Sequence, residues 1–240
     1  MPTLSIVIPA RNEAGNLSSL VAEIKSALSA ETDFEIIIVD DGSTDGTAES
    51  VAGLPMVRVL RNDVSAGQSA AVHSGVQVAR GQIVCTLDGD GQNPPADLPK
   101  LIAPLRADTA GRIGLVAGQR VGRQDTLSKK LASRFANGLR ARMLGDNTRD
   151  TGCGLKAFRR DAFLALPYFD HMHRYLPALF SRDGWNIVHV DVGHRSRGAG
   201  RSNYSNLQRA LVGIVDLFGV LWLLRRRKKA TPHPFAHTGE

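Results

Sequence analysis

The sequence predicts an α/β domain on a doubly wound, mostly parallel sheet, and three observations lead there. Short apolar runs alternate with segments whose apolar residues recur at helical spacing, the pitch of βαβ units. One run, Ile36-Ile37-Ile38-Val39, is apolar on both faces, as a central parallel strand is. Three of the first four runs end in acidic or proline-stopped loops, so their carboxyl ends share one rim, where open α/β sheets bind ligands.

Leu4–Ile8 is a short buried strand closed by Pro9. After the polar loop Ala10-Arg11-Asn12-Glu13, the spacing of Leu17, Leu20, Val21, Ile24 and Leu28 predicts a helix. Glu35–Val39 is the second strand. It runs into Asp40-Asp41-Gly42-Ser43-Thr44-Asp45-Gly46-Thr47, a loop of turn formers that offers Ser43, Thr44 or Asp45 as a helix N-cap. Val57–Leu60 is a third strand, Gly67–Ala79 a helix opened by glycine, and Gln82–Leu87 a fourth strand. Leu98, Leu101, Ile102 and Leu105 mark another helix, and Gly114–Gly118 another strand. Arg120–Lys130 is a basic loop expected to order on binding, and Leu131–Leu144 a helix with a basic outer face. Trp185–Val192 is the last strand, followed by a Gly/Arg/Ser-rich loop over His194–Ser202.

The chain has 240 residues, 42% of them hydrophobic, enough for one α/β domain with an appendage. The expected division is a catalytic domain over 1–203, an apolar and basic helix over 204–229, and a disordered tail over 230–240. Met1-Pro2-Thr3 runs straight into a strand without a basic n-region or a long apolar stretch, so no secretory signal is expected. Cys85 and Cys153, the two cysteines, are too few for a disulfide framework or a thiolate zinc site, and a reducing cytoplasmic location is the expectation.

The net charge of +7 is unevenly spread. Arg112, Arg120, Arg123, Lys129, Lys130, Arg134, Arg140 and Arg142 stand against Asp125 alone, a cluster suited to an anionic substrate. Aromatics make up 5% and are not interleaved with the basic residues, which argues against single-stranded nucleic acid as a partner. Ala210–Leu224 is apolar except for Asp216. Its length of roughly 22 Å falls short of a hydrocarbon core of about 30 Å. With Arg225–Lys229 as a positive flank, the segment fits a helix lying in the interface of an anionic membrane. A helix packed on the domain or on a partner, and a true span, are the other readings.

The fourth strand ends in Asp88-Gly89-Asp90-Gly91-Gln92-Asn93-Pro94-Pro95. Alone, such a run also fits a solvated turn. Two carboxylates in so small a volume repel, and a hard cation between them, Mg²⁺ or Mn²⁺, accounts for the pair. Pro9–Glu13 and Asp40-Asp41 come to the same rim, and the set suits a metal-bound sugar nucleotide. The glycine-rich loops match neither the dinucleotide fingerprint nor the P-loop.

Taken together, the motifs resemble family 2 glycosyltransferases of the GT-A fold, specifically the polyprenyl-phosphate glycosyltransferases typified by dolichol-phosphate mannosyltransferase. The matching residues are Pro9 with Asn12-Glu13, Val39 through Thr47, Gly67 with Ala70-Ala71, Asp88 through Pro95, Gly118-Gln119-Arg120, Gly154 through Arg160, and Arg197 with Gly200-Arg201-Ser202. Ala10-Arg11 and Asn203 depart from the family pattern.

The resemblance implies that Pro9, Glu13, Val39 and Asp41 line the nucleotide site. It implies that Asp88, Asp90 and Gln92 surround Mg²⁺ or Mn²⁺. Arg120 and Arg197 would grip phosphates, with Lys129, Lys130 and Arg134 as further candidates. The implied reaction is inverting transfer of a sugar from a GDP- or UDP-linked donor to a polyprenyl phosphate by an enzyme peripherally bound at the cytoplasmic face of the membrane. A soluble or glycan acceptor, and a nucleotide-sugar-binding protein without turnover, are the alternatives.

Overall fold

The apolar runs form strands, and those over Leu4–Ala10 and Phe34–Asp40 bury both faces. The computed structural model describes residues 3–31, 33–121, 138, 140, 142–145, 148–195 and 206–226. Among them are strands β1 (Leu4–Ala10), β2 (Phe34–Asp40), β3 (Val57–Arg61), β4 (Ile83–Thr86), β5 (Ile113–Arg120), β6 (Lys156–Arg159) and β7 (Asn186–Val192). They make one sheet in the order β3-β2-β1-β4-β6-β5-β7. All neighbours pair in parallel except β6, which is antiparallel to both β4 and β5. The sheet is therefore mostly parallel, as expected. β6 is the addition: four residues, Lys-Ala-Phe-Arg, too short to show a period.

Helices α1 (Ala14–Ala27) and α3 (Leu98–Ala107) cover one face of the sheet. Helices α2 (Gln68–Val78), α4 (Arg160–Leu164), α5 (Leu176–Arg182) and α6 (Asn206–Arg225) bring residues to the other. Strand alternation divides the core accordingly. Leu4, Ile6, Ile8, Ile36 and Ile38 pack with Leu17, Leu20 and Ile24, while Val7, Ile37 and Val39 pack with Val72 and Val76.

Of the helix expected over Leu131–Leu144, residues 138, 140 and 142–144 are described, and they are helical. Arg123, Lys129, Lys130, Arg134, Arg197 and the tail over 230–240 lie outside the described residues.

The C-terminal helix α6 is seated on the domain. Val220 is fully buried, and Leu217, Leu221 and Leu224 pack against the second core. Tyr175 Oη donates to the Gly213 carbonyl at 3.1 Å, and Arg182 Nε and Nη2 donate to the carbonyls of Leu223 and Arg226 at 3.0 and 3.1 Å. These last bonds satisfy carbonyls that a helix end leaves without partners. Asp216, the one charge in the apolar stretch, lies 3.1 Å from His171 Nδ1. The opposite side is bare: Phe218 is 62% and Trp222 60% exposed, beside exposed Ile214 and Val215. No helix of the described residues is long and apolar enough to cross a membrane.

Candidate active site

The loops after β1 and β2 are sewn together by side chains placed at fixed offsets. Asn12 N donates to Ser43 Oγ and Asn12 Oδ1 accepts from Thr44 N, both at 2.9 Å. Glu13 N donates to Thr47 Oγ1 at 2.9 Å, and Ala14 N to Asp45 Oδ2 at 3.3 Å. Glu13 stands before the first turn of α1, where its Oε2 accepts from Asn16 Nδ2 at 2.6 Å. The run Asp40–Thr47 thus closes the N-terminus of α1 in space, whereas the turn chemistry had suggested that Ser43, Thr44 or Asp45 would cap a helix of its own.

Asp41 is buried and accepts four hydrogen bonds, from Asn62 Nδ2, Ser65 Oγ, Ala66 N and Gly67 N, at 2.8–2.9 Å. Burial pushes its carboxyl up, but these donors outweigh burial and hold it below the usual range. The loop comes so close that a β-carbon on Gly42 would lie 2.7 Å from Ser65 N, and Gly42 also has φ +65°. Val39, expected to line the nucleotide site, has its side chain wholly buried in the second core, so it can meet a ligand only through its main chain.

β4 delivers Asp88 into a cleft of about 400 Å³ whose walls include Pro9, Gln68, Arg120, Gly154, Lys156, His173 and Arg174. Gln68 Nε2 donates to Asp88 Oδ1 at 2.7 Å and Asn93 Nδ2 to Oδ2 at 3.3 Å. Loss of water around Asp88 pushes its carboxyl up, and the charge of Asp90 adds to this; Lys156 and Arg120 work the other way. Asp90 is buried, with Oδ1 accepting from Gln92 N at 3.1 Å. The Gln92 carbonyl accepts from Arg195 N at 3.0 Å, and Arg195 also pairs with Glu23.

The donors fit a hard divalent cation. Asp88 and Asp90 offer only oxygen, and their mutual repulsion is the tension a cation would relieve. Among the described residues, no group of three or more His, Cys, Asp or Glu side chains could hold a metal. An ion held here would therefore share its shell with a ligand or water.

Arg120 comes to the same cleft but is engaged. Its Nε and Nη2 reach Asp150 Oδ2 and Oδ1 at 2.6 and 2.8 Å, a bidentate clamp. Burial disfavours its charge, yet this clamp raises its pKa on balance. Cys153 is fully buried and packs as a small residue; burial pushes its thiol up, away from nucleophilic use.

Three groups in or beside the cleft had been given no role from the sequence: Gln68, Asp150 and Lys156, the last inside the matching block Gly154 through Arg160. Lys156 carried a signal, a lysine inside the otherwise apolar run Leu155–Phe158. Its side chain is buried, and its ammonium donates to the Cys153 carbonyl. Burial pushes its pKa down. His173 also lines the cleft. It shares a 2.7 Å hydrogen bond with Ser69, and burial, with Lys156 and Arg174 nearby, keeps its ring neutral well below the ordinary histidine pKa.

Comparison with known proteins gives the context for this geometry. The chain is 34% identical over 242 residues to dodecaprenyl-phosphate galacturonate synthase of Rhizobium johnstonii, covering 97% of this chain and 70% of that one. It is 32% identical over 236 residues to undecaprenyl-phosphate 4-deoxy-4-formamido-L-arabinose transferase of Aeromonas hydrophila, covering 95% and 68%. Among solved structures, glucosyl-3-phosphoglycerate synthase of Mycobacterium tuberculosis, in complex with Mn²⁺, UDP and glucosyl-3-phosphoglycerate, superposes with a TM-score of 0.68 at 23% identity, over 93% of this chain and 80% of that one. Mannosyl-3-phosphoglycerate synthase of Rubrobacter xylanophilus superposes with a TM-score of 0.70 at 18% identity, over 96% and 78%. These two share the GT-A fold with this chain. Residues 5–166 match the family model described as Glycosyl transferase family 2, and the chain belongs to that family.

Proposed function

We propose that the chain is an inverting glycosyltransferase that moves a sugar from a GDP- or UDP-linked donor to a polyprenyl phosphate at the cytoplasmic face of a membrane. The observation that carries this reading is the likeness, over almost the whole chain, to two enzymes named for dodecaprenyl and undecaprenyl phosphate. The cleft at the end of β4 supports it, because it opposes the Asp88 carboxylate to the cationic side chains of Arg120, Lys156 and Arg174.

In this reading the nucleotide lies over the carboxyl ends of β1 and β2. Pro9 and Glu13 line it, Val39 contributes main chain, and Asp41 acts by fixing the loop over residues 62–67. Asp88, Asp90 and Gln92 would hold Mg²⁺ or Mn²⁺, and the ion would supply Lewis-acid neutralisation of the diphosphate's charge. Arg120 exchanges Asp150 for a substrate phosphate, one bidentate anion for another, and Arg197 is assigned the same kind of contact. The acceptor phosphate needs no general base, since a monoester with a second pKa of about 6 is largely ionised at neutral pH. One of its oxygens forms the new bond at the anomeric carbon while the bond to the diphosphate breaks, the electron pair leaving with the diphosphate. The side chains' task is to hold and aim these charges. Ile214, Val215, Phe218 and Trp222, with Arg225 and Arg226 at the end of α6, form the membrane-facing surface.

The test is to incubate purified protein and Mg²⁺ or Mn²⁺ with undecaprenyl phosphate and a panel of nucleotide sugars. A lipid-linked sugar should form with one donor, and Asp90→Ala should abolish it without changing the melting temperature appreciably. Hydrolysis alone, or only a soluble glycoside, overturns the lipid-acceptor reading.

A further inference from the structure

Lys156 is 4% exposed yet lines the cleft, and the partner of its ammonium is a neutral carbonyl, that of Cys153. Taking an ammonium out of water is costly; the Cys153 carbonyl and the nearby Asp88 and Asp150 carboxylates offset that only in part, and an incoming anion would offset it further. Arg174, half-buried, reaches the same cleft from the single 3₁₀ turn Met172–Arg174.

Sheet order indicates which anion this is. The strands whose loops hold Glu13 and Asp41, β1 and β2, lie on one side of β4, and β6 lies on the other. Lys156 pairs in register with Thr86, two residues before Asp88, so it stands across β4 from the nucleotide-side loops. The segment that carries Arg174 is also the one bonded to α6, through His171 to Asp216 and Tyr175 to Gly213. It therefore links the cleft to the element with the exposed apolar face.

We propose that Lys156 and Arg174 form the seat of the acceptor's phosphate monoester, apart from the diphosphate of the donor. This rests on the polyprenyl-phosphate reading above. Both are binding residues for an anion whose charge the cleft must hold while its oxygen attacks.

The experiment uses the full chain and measures binding of a soluble short-chain prenyl phosphate, citronellyl phosphate, and separately of UDP and GDP. Lys156→Gln and Arg174→Gln should each weaken the prenyl phosphate about tenfold or more, the value of a charge-assisted hydrogen bond. Binding of the nucleoside diphosphate should stay within about twofold. Melting curves accompany each variant. Should the buried Lys156→Gln fail to fold, Arg174→Gln at the half-buried position should still show the loss, while the charge-keeping Lys156→Arg should retain prenyl phosphate binding. Wild-type protein that binds prenyl phosphate while the folded Gln variants bind it equally overturns this assignment alone. Loss of nucleoside diphosphate binding instead moves the residues to the donor and also overturns it. Wild-type protein that binds a nucleoside diphosphate but no prenyl phosphate overturns the polyprenyl-phosphate reading together with this one.

Discussion

Gly154 lies against Asp88 so closely that a β-carbon on it would stand 2.1 Å from Asp88 Oδ2. The backbone there cannot easily retreat, because the Gly154 carbonyl accepts from the buried Thr86 Oγ1 at 2.7 Å. β4 and the segment entering β6 are thus fastened together at the point where the carboxylate enters the cleft. The glycine sets where that carboxylate can be.

Gly154→Ala should therefore act on chemistry more than on folding. The added methyl displaces the Asp88 carboxylate from Gln68 and Asn93, and a misplacement of about 1 Å can cost about 100-fold in rate. The stability loss should stay near the low end of the about 1–3 kcal/mol that overpacking costs, since Asp88 is the part that moves. Measuring kcat/KM beside a denaturation curve checks this. A variant with wild-type kcat/KM would show that the contact does not position Asp88.

Asp88 itself should be a stability liability in the absence of a cation. Its folded pKa lies above the unfolded one, through lost solvation first and Asp90 second. Below the unfolded pKa both states are protonated and nothing is lost. As pH rises through the folded pKa, the ionised carboxylate is better accommodated by the unfolded chain, and folding loses stability. Asp88→Asn should raise the Tm at pH 7 without added metal, with less gain at pH 4. Mn²⁺ should raise the Tm of the wild type and leave the variant nearly unchanged. Equal Mn²⁺ shifts in the two proteins would contradict the ligand role.

Asp41 should behave oppositely. Its carboxyl is held low by four donors despite burial, so its contribution is full above the unfolded pKa and is lost as pH falls through the folded one. Asp41→Ala leaves the amides of Ala66 and Gly67 without their acceptor. Each unsatisfied group costs about 1–3 kcal/mol where it stays buried. Urea unfolding at pH 7 should show the loss, and the gap between variant and wild type should narrow in acid below pH 3.8, the ordinary carboxyl value. A pH-independent gap would mean that the carboxylate's charge is not what fixes the loop.

The strands that bury both faces were legible because their residues say so directly: Ile36–Val39 and Leu4–Ile8 have no other stable use. The Asp88–Asp90 pair was visible as two acids ending an apolar run, a pattern that alone also fits a solvated turn; the structure places Asp88 in the cleft and buries Asp90 beside it. Asp41 was visible as an acid at the rim, but its four donors come from residues 62–67, a long-range closure that no local pattern encodes. The same holds for Arg120, whose clamp on Asp150 spans thirty residues of chain. Lys156 was hidden for a different reason. Four-residue β6 shows no alternation, so the lysine reads as a break in an apolar run until its antiparallel pairing with Thr86 turns it toward the cleft.

The interfacial role of α6 is best tested by changing single exposed residues. The helix has two jobs: Val220 and the bonds from Tyr175 and Arg182 hold it on the domain, so removing it would disturb the fold along with any membrane contact. Phe218 and Trp222 stand one turn apart on the bare side, with Arg226 5.9 Å over the Trp222 ring. Phe218→Glu removes a side chain worth about 1.5–3 kcal/mol when fully buried in an apolar phase and adds a like charge to an anionic surface. Co-sedimentation with anionic vesicles should fall about tenfold or more while the melting curve stays put. In the wild type, Trp222 emission should shift to the blue on adding those vesicles, and the shift should weaken in high salt as Arg225 and Arg226 are screened. Trp185, packed against the core, gives the constant background. Unchanged sedimentation of Phe218→Glu would assign the exposed face to something other than lipid.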